Sequence, residues 1–265
     1  MKAILISHVG NSRDNQEDNA MFDGGSYIGA EQIRNISETK QAYRLKEEKE
    51  QGKDFLFAIS DGMGGHACGE VASYTAVKYL ADNLGRVLRA DNASLVEEIA
   101  ELNRAVVREA DRDPSRNGMG ATLCGVLQRD NRLVGFNVGD SRLYGFSNGE
   151  LKQLSTDHTE GQRLLGLKLL TEDELKTFPY RKRLCKCVGI RNELVADVFD
   201  IEVLGDKSAL LICSDGLTDA LSNEEIAHIL NEKTSIEERG DALLDEALER
   251  NSGFGDNITI ILIEL

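Results

Sequence analysis

The chain has 265 residues, with 31 Lys and Arg against 46 Asp and Glu, which gives a formal net charge of −15. This acidity argues against a general affinity for nucleic acid or for anionic membrane surfaces, because both require a basic face. No apolar run approaches the roughly 18 residues of a membrane span, and residues 1–8 are too short for a signal-peptide core. The odd set of five cysteines favours reduced thiols over a disulfide framework, so we expect a cytoplasmic protein.

Strand-like runs recur along the chain, rich in β-branched and aromatic residues and bounded by turn residues. In chain order they are Ala3–Ser7, Phe55–Ser60, Thr122–Gln128, Arg132–Val138, Arg142–Phe146, Val195–Val203, Ala209–Cys213 and Asn257–Glu264. Two short polar segments, Arg129–Asn131 and Ser147–Gly149, are typical of hairpin turns. Much of the sheet structure should therefore be antiparallel.

Helices are predicted between these strands. One covers Gly69–Leu84, and Ala242–Leu248 forms part of another. Two Ser-x-x-Glu pairs with capping-box spacing precede apolar stripes of helical period, namely Ser94 with Glu97 and Ser222 with Glu225. Long helices between groups of antiparallel strands predict an α+β layered fold. No Pro-, Ser- or Gly-rich linker separates the halves, so we expect one domain over residues 1–265.

Residues 24–53 differ from the rest in composition. They are polar and rich in Lys, Glu and Gln, with scattered apolar residues. Such a composition buries little apolar area, so we expect a polar insertion, a solvated helix or mobile loop outside the core. A docking surface is the alternative.

Five short acidic stretches are spread over almost the whole chain. They are Arg13–Asp18, Asp61–Gly65, Val138–Arg142, Ser214–Asp219 and Gly255–Thr259. Most place a carboxylate beside a glycine where an apolar run stops, which is how a fold directs oxygen ligands into one cleft. Oxygen-only ligand sets suit Mg²⁺ or Mn²⁺, often as a pair about 4 Å apart. Such a pair is suited to the hydrolysis of phosphate esters.

The order, flanking residues and spacing of these stretches together resemble the metal-dependent protein phosphatases, the type 2C serine/threonine family, in its bacterial form. The resemblance runs from about residue 7 onwards, apart from residues 24–53. It implies a four-layer sandwich of two central antiparallel β-sheets flanked by α-helices on both faces, with the metal site at one end. It also implies phosphorylated protein substrates, the products of a serine/threonine kinase, and we expect a monomer.

The resemblance assigns roles to particular residues. Asp61 would bridge two catalytic Mn²⁺ or Mg²⁺ ions, and Arg13 would orient the phosphate through its guanidinium fork. The implied metal ligands are Glu17, Asp18, Asp61, the carbonyl of Gly62, Asp215 and Asp256, with Asp140 and Asp219 at a third metal position. Thr122 and Asn257 also lie on family motifs, where we expect them to support the site without carrying a chemical step.

Residues 159–187 correspond to the family's flap, a variable segment beside the active site. Its basic residues are Arg163, Lys168, Lys176, Arg181, Lys182, Arg183 and Lys186. A basic flap beside an acidic cleft would attract a phosphorylated segment, although an ordinary solvated surface has the same composition.

The general acid is left open by the sequence. Animal members of the family carry a histidine, proposed as the acid, where this chain has Met63, and methionine donates no proton. The alternatives are a metal-bound water or a nearby histidine, His66 or His158. Two rival functions are a catalytically silent relative and a metal-dependent nuclease or nucleotide hydrolase. The first would lack a metal ligand, whereas every expected ligand is present; the second is disfavoured by the acidic charge and by the absence of a phosphate-binding Gly-x-x-x-x-Gly-Lys loop.

Overall fold

A computed structural model describes residues 1–23, 25–50, 52–63, 68–202, 208–251 and 255–265 of the chain. Four positions named above, Gly64, Gly65, His66 and Val203, lie outside these described residues. Within them, no helix is both long enough and apolar enough to cross a membrane.

The strands are short and numerous. In chain order they are β1 (Lys2–His8), β2 (Asn19–Phe22), β3 (Ser26–Tyr27), β4 (Tyr43–Glu48), β5 (Phe55–Ser60), β6 (Gly62–Met63), β7 (Gly120–Ala121), β8 (Leu123–Arg129), β9 (Arg132–Val138), β10 (Arg142–Ser147), β11 (Glu150–Gln153), β12 (Asp197–Ile201), β13 (Ala209–Cys213) and β14 (Ile258–Glu264).

The helices fall between groups of strands. They are α1 (Ala30–Thr39), α2 (Gly69–Asp82), α3 (Leu84–Val87), α4 (Asn92–Ala110), α5 (Glu160–Gly166), α6 (Glu172–Thr177), α7 (Asp215–Thr218), α8 (Asn223–Leu230) and α9 (Ile236–Arg250).

In the described part of the chain the strands form two antiparallel six-stranded sheets and one small two-stranded sheet. The first sheet has the order β11-β10-β13-β14-β1-β4, and the second has the order β12-β9-β8-β5-β2-β3. The hairpin turns were correctly predicted: Asp130 and Asn131 have φ of 47° and 61°, and Asn148 and Gly149 have φ of 52° and 81°. Positive φ at both central residues matches the right-handed twist of the strands that a turn joins.

The two sheets face each other across an apolar layer, and helices cover their outer faces. Strand β14 shows why: Ile261 belongs to the cluster between the sheets, whereas Ile260 and Leu262 belong to the cluster beneath α8 and α9. Successive side chains of a strand point to opposite faces, so a central strand must be apolar on both. On the other side, α2 and α4 pack on the second sheet through residues such as Leu80 and Ile99. The predicted four-layer sandwich is confirmed.

Strand register gathers the acidic stretches at one end of the sandwich. In the first sheet, Cys213 pairs with Arg142 and with Ile260, and His8 pairs with Ile258. In the second sheet, Asn19 pairs with Ser60, and Leu123 pairs with Val138. Apart from His8 and from Ile260 inside β14, each of these positions is a strand end within two residues of a predicted site residue. The chain therefore returns to the same end of the sandwich each time it reaches a motif.

The prediction for residues 24–53 is wrong in one respect. This segment contains α1, whose Ile33 and Ile36 are buried, and Ile28 is buried as well. It also contains β4, which pairs with β1 and forms the edge of the first sheet. The described part of the segment therefore belongs to the core, because a few well-placed apolar residues bury a helix face even when the average composition is polar.

Helix starts were partly predicted. The capping box of Ser222 with Glu225 is present at the start of α8. The box of Ser94 with Glu97 is wrong, because α4 begins three residues earlier than this box predicts and its N-cap, Asp91, accepts the Ser94 N–H at 2.8 Å. Aspartate is as good an N-cap as serine, and the residue that fits the observed helix start takes the role.

Candidate active site

Asp18 lies at the centre of the acidic end of the sandwich. It precedes β2 and is fully buried. Its Oδ2 accepts a hydrogen bond from Ser214 Oγ at 2.8 Å, whereas Oδ1 is buried without a hydrogen-bond partner in the described part of the chain. Burial raises the pKa of Asp18 to about 7. A carboxylate in this position needs a cation or a proton on its free oxygen.

Asp61 follows β5 and is fixed through its backbone. Its N–H donates to Thr122 Oγ1 at 2.9 Å, and its carbonyl accepts the Thr122 N–H at 2.8 Å. Burial raises the pKa of Asp61 well above its ordinary value, and the charges of Asp18 and Asp215 add to that effect. The hydrogen bonds agree with the supporting role predicted for Thr122.

Gly62 occupies a crowded position beside Asp61. A Cβ atom there would lie 2.2 Å from the carbonyl oxygen of Gly69 and 2.7 Å from that of Glu17, so only glycine fits. The Gly62 N–H donates to the Glu17 carbonyl at 3.2 Å. This close approach joins the second acidic stretch to the first.

Asp215 starts α7, directly after Ser214 at the N-cap. Its Oδ1 is buried and, like the free oxygen of Asp18, has no hydrogen-bond partner among the described residues. Burial raises the pKa of Asp215 to about 8, and the charges of Asp140 and Asp219 contribute to this increase. Two orphaned carboxylate oxygens therefore lie in one acidic cleft.

Arg13, Glu17 and Asp256 form the outer edge of this cleft. Arg13 Nη2 donates to Asp256 Oδ2 at 2.8 Å, and about half of the Arg13 side chain is exposed. Burial raises the pKa of Glu17, and the neighbouring charge of Glu70 acts in the same direction. Asn257 Oδ1 accepts the Glu17 N–H at 2.8 Å, which agrees with its predicted supporting role.

The predicted third metal position lies beside a cavity of about 220 Å³ between the cleft and the flap. Asp140, Asp215 and Asp219 line this cavity. Burial raises the pKa of Asp140 to about 6, and the nearby Asp157 contributes. Asp219 forms an ion pair with Lys182 of the flap. The ammonium group of Lys182 thus pairs with a carboxylate that was predicted to bind the third cation.

The donor atoms fit hard divalent cations held largely through water. Within the described residues, no three His, Cys, Asp or Glu side chains are grouped closely enough to hold a metal ion by themselves. Mg²⁺ commonly binds through one or two carboxylates and keeps several waters, so such a trio is not needed. A cation would give the orphaned oxygens of Asp18 and Asp215 a partner. It would also offset the repulsion among the carboxylates that contributes to their raised pKa values.

Several supporting residues were missed by sequence reasoning. Ser214 holds Asp18, and behind it Thr259 Oγ1 lies 2.9 Å from Ser7 Oγ, which also accepts from Gln16 Nε2 at 2.6 Å. Three of these four residues, Gln16, Ser214 and Thr259, stand inside the acidic stretches. Their polar side chains beside apolar strands were the available signal.

A two-sheet sandwich with an oxygen-lined acidic cleft at one end defines a metal-dependent phosphatase. The family model described as protein phosphatase 2C matches residues 29–250, and the chain belongs to this family. It is 34% identical over 214 residues to the serine/threonine phosphatase stp of Listeria welshimeri, covering 79% of this chain and 84% of that protein.

Solved structures give the same result. The serine/threonine phosphatase of S. agalactiae superposes with a TM-score of 0.78 at 25% identity, covering 99% of this chain and 98% of that one. The catalytic domain of the phosphatase PstP, solved in complex with two manganese ions, superposes with a TM-score of 0.71 at 28% identity, covering 99% and 98%. The protein is therefore a phosphoprotein phosphatase that acts on phosphoserine and phosphothreonine with a dinuclear Mn²⁺ or Mg²⁺ centre.

Proposed function

We propose that the acidic cleft is the catalytic centre, with the residue roles implied by the motifs. Asp61 and the Gly62 carbonyl, with Asp215 and Asp256, would hold the two ions. Glu17 and Asp18 would reach them directly or through water, whereas Asp140 and Asp219 would serve a third, more weakly held ion. The observation that carries this proposal is the pair of buried oxygens on Asp18 and Asp215 that have no hydrogen-bond partner among the described residues.

The ions, when bound, neutralise the phosphoryl oxygens and lower the pKa of an attacking water. The chain's own residues position these components. Ser214 orients Asp18, and Thr122 fixes the backbone of Asp61. Arg13, which pairs with Asp256 at the cleft edge, has a half-exposed guanidinium that can take two phosphoryl oxygens.

We propose that water donates the proton to the leaving oxygen; His66, one of the two candidate histidines, lies outside the described residues. Met63 has no proton to give. His158 is nearly buried, its Nδ1 accepts the Gly139 N–H at 3.0 Å, and its Nε2 lies 3.1 Å from Asp197 Oδ2. Nδ1 of His158 is thus occupied by a backbone N–H, and Nε2 lies beside Asp197, without a hydrogen bond among the described residues.

The partners and location follow from charge and thiol chemistry. We expect a monomeric single catalytic domain that acts on the phosphorylated products of a serine/threonine kinase and binds neither nucleic acid nor membranes, consistent with its net charge of −15. All five cysteines are free, including the buried Cys124 and Cys213. Free thiols suit a reducing compartment, which supports a cytoplasmic location.

The test replaces a ligand charge without changing size. Asp61→Asn should lower the rate on a phosphothreonine peptide with Mn²⁺ by orders of magnitude while the fold survives. The matched control is Asp82→Asn, since the Asp82 carboxylate is exposed on α2, where it pairs with Lys78. Nucleotide and DNA substrates assayed in parallel separate a phosphatase from a nuclease. Full activity of Asp61→Asn, or activity in chelator, would refute the assignment.

A further inference from the structure

The turn that carries Asp140 is held by a histidine from the start of the flap. The ring of His158 accepts the Gly139 N–H at Nδ1, 3.0 Å away, and the His158 backbone N–H donates to the Gly139 carbonyl at 2.8 Å. Gly139 thus has both of its backbone polar groups bonded to one residue. Asn137 Nδ2 adds a third bond, to the Gly139 carbonyl, at 3.2 Å.

Gly139 itself cannot be replaced easily. Its φ is +110°, and an added Cβ would lie 2.7 Å from Thr122 Cβ. The residue therefore adopts a conformation that other residues rarely reach, against the same threonine that fixes the Asp61 backbone. A backbone in this state needs outside support to keep one geometry.

The hydrogen bond fixes the tautomer of His158. Because Nδ1 accepts a backbone N–H, the ring proton must be on Nε2, which faces Asp197 Oδ2 at 3.1 Å. Asp197 Oδ1 in turn accepts from Lys186 Nζ at 3.0 Å. Burial lowers the pKa of His158, and the nearby Lys186 charge acts in the same direction. A lowered pKa favours the neutral imidazole, whose Nδ1 accepts the Gly139 N–H.

The same arrangement occurs a second time at the cleft. His8 Nδ1 accepts the Gly10 N–H at 2.8 Å, and His8 Nε2 faces the Lys40 carbonyl at 3.1 Å. The backbone next to Gly10 is joined to the site, because Asn257 Nδ2 donates to the Val9 carbonyl at 2.9 Å. Burial lowers the pKa of His8 too. An imidazole that accepts a glycine N–H thus occurs beside Asp140 and, at Gly10, against the backbone of Asp256.

We propose that His158 is a positioning residue, which holds Gly139 so that the Asp140 carboxylate is presented to the cavity shared with Asp215 and Asp219. The inference rests on the proposed function only for the role of Asp140 as a metal ligand. The two hydrogen bonds between His158 and Gly139, here called the clamp on Gly139, are present in the metal-free protein. Partners that orient a ligand in this way typically contribute 10- to 100-fold to metal affinity or activity.

The experiment compares three substitutions at His158. Asn places its Oδ1 where Nδ1 accepts, Gln places its oxygen one bond further out, and Leu offers no acceptor. His228→Leu is the matched control, since His228 is exposed on α8. Amide hydrogen exchange of Gly139 is measured in chelator, and the weakest Mn²⁺ site is titrated by calorimetry.

We expect His158→Leu and His158→Gln to lose Gly139 protection and to weaken the weakest Mn²⁺ site by about tenfold or more. His158→Asn should restore much of both, and His228→Leu should change neither. Protection of Gly139 that survives in His158→Leu, or an Asn variant no better than Leu, would overturn the proposal. If the Leu variant fails to fold, the ¹⁵N spectrum of the wild-type ring decides, because a proton on Nδ1 contradicts the clamp.

The metal-free measurement separates this inference from the proposed function. If Asp140→Ala leaves Mn²⁺ binding unchanged, the assignment of Asp140 as a ligand is wrong, and so is the presentation of Asp140 by His158. Exchange at Gly139 would still report the hydrogen bond itself. If Asp140→Ala weakens Mn²⁺ binding and His158→Leu does not, the ligand assignment stands and only the positioning role fails.

Discussion

At the scale of single residues, the carboxylates of the cleft that suit metal binding lower the stability of the metal-free protein. Asp18 is buried and Asp215 is partly exposed, and each keeps one buried carboxylate oxygen unpaired in the described structure. A buried polar atom without a partner costs free energy, and a buried charge costs more. The metal-free protein therefore carries a penalty that a cation or a proton removes.

This penalty predicts an unusual pH dependence of stability. Burial raises the pKa of Asp140 to about 6, of Asp18 to about 7 and of Asp215 to about 8. The folded chain then holds protons that the unfolded chain has lost, so the free energy of unfolding in chelator should fall as pH rises from about 4 to about 8. Urea unfolding across this range measures it.

The control for that pH series is Asp215→Asn, which removes one of the raised groups. Its stability should fall less steeply with pH than that of the wild type, because one carboxyl group with a raised pKa is gone. The general repulsion of an acidic chain is almost unchanged, so the difference reports Asp215. Saturating Mn²⁺ should also flatten the wild-type curve. A wild-type stability in chelator that rises with pH over the range would contradict the prediction.

Sequence and structure differ most in how the residues of the site are supported. The ligand candidates were identifiable because each stands in a motif with recognisable neighbours. The hydrogen bonds of Ser214 to Asp18 and of His158 to Gly139 were not, since they join residues 196 and 19 positions apart. Pairings of this kind depend on strand register, which only the folded chain specifies.

At the scale of elements, α1 shows that the segment 24–53 stabilises the fold. Ile36 is 2% exposed and packs in the cluster between the sheets. Ile36→Ala should lower the free energy of unfolding by about 2–5 kcal/mol, from lost burial and the cavity left behind. The matched control, Arg34→Ala on the exposed face, should change it by about 0.5 kcal/mol or less.

Denaturant unfolding of both variants checks this expectation. Replacement of the whole segment by a Gly-Ser bridge should destabilise the protein, contrary to what the polar composition suggested. Equal stabilities for Ile36→Ala and Arg34→Ala would show that the segment does not contribute to the core.

The flap makes a second prediction at this scale. The ammonium group of Lys182 pairs with Asp219, so it competes with any cation for that carboxylate. Lys182→Met should tighten the weakest Mn²⁺ site, by at most about fivefold because the lysine is largely exposed. Lys176→Met is the control, since Lys176 pairs with Asp173 inside the flap. Calorimetric titration measures both, and weaker Mn²⁺ binding in Lys182→Met would show that the lysine supports the site.

Element prediction succeeded where periodicity was strong. All eight predicted strands occur, with ends shifted by a few residues. Strand β4 was missed although Tyr43 and Leu45 alternate with the exposed Arg44 and Lys46. Charged outward residues are common on edge strands, where they discourage pairing with other chains. The polar average composition of the segment therefore concealed the two-residue alternation of side chains that is typical of a strand.

At the scale of the whole molecule, metal binding should stabilise the fold. Mn²⁺ binds the folded cleft and hardly at all the unfolded chain, so at about 100 times its dissociation constant it should add roughly 2.7 kcal/mol. For a chain of this size that corresponds to a rise in Tm of roughly 5–10 °C. Calorimetry across a Mn²⁺ titration measures it. Asp61→Asn should lose most of the shift, and an unchanged wild-type Tm would argue against the site.

The sheet order also constrains how the chain is made. Strand β1 lies between β14 and β4, and Lys2 pairs with Glu264. On a ribosome that adds about 5–20 residues per second, the first strand waits about 13–50 s for this partner. Until then the backbone N–H and C=O groups of β1 that pair with β14 have no partner strand, and the acidic end of the sandwich is incomplete. A nascent chain therefore offers a binding edge to chaperones before it can remove a single phosphate.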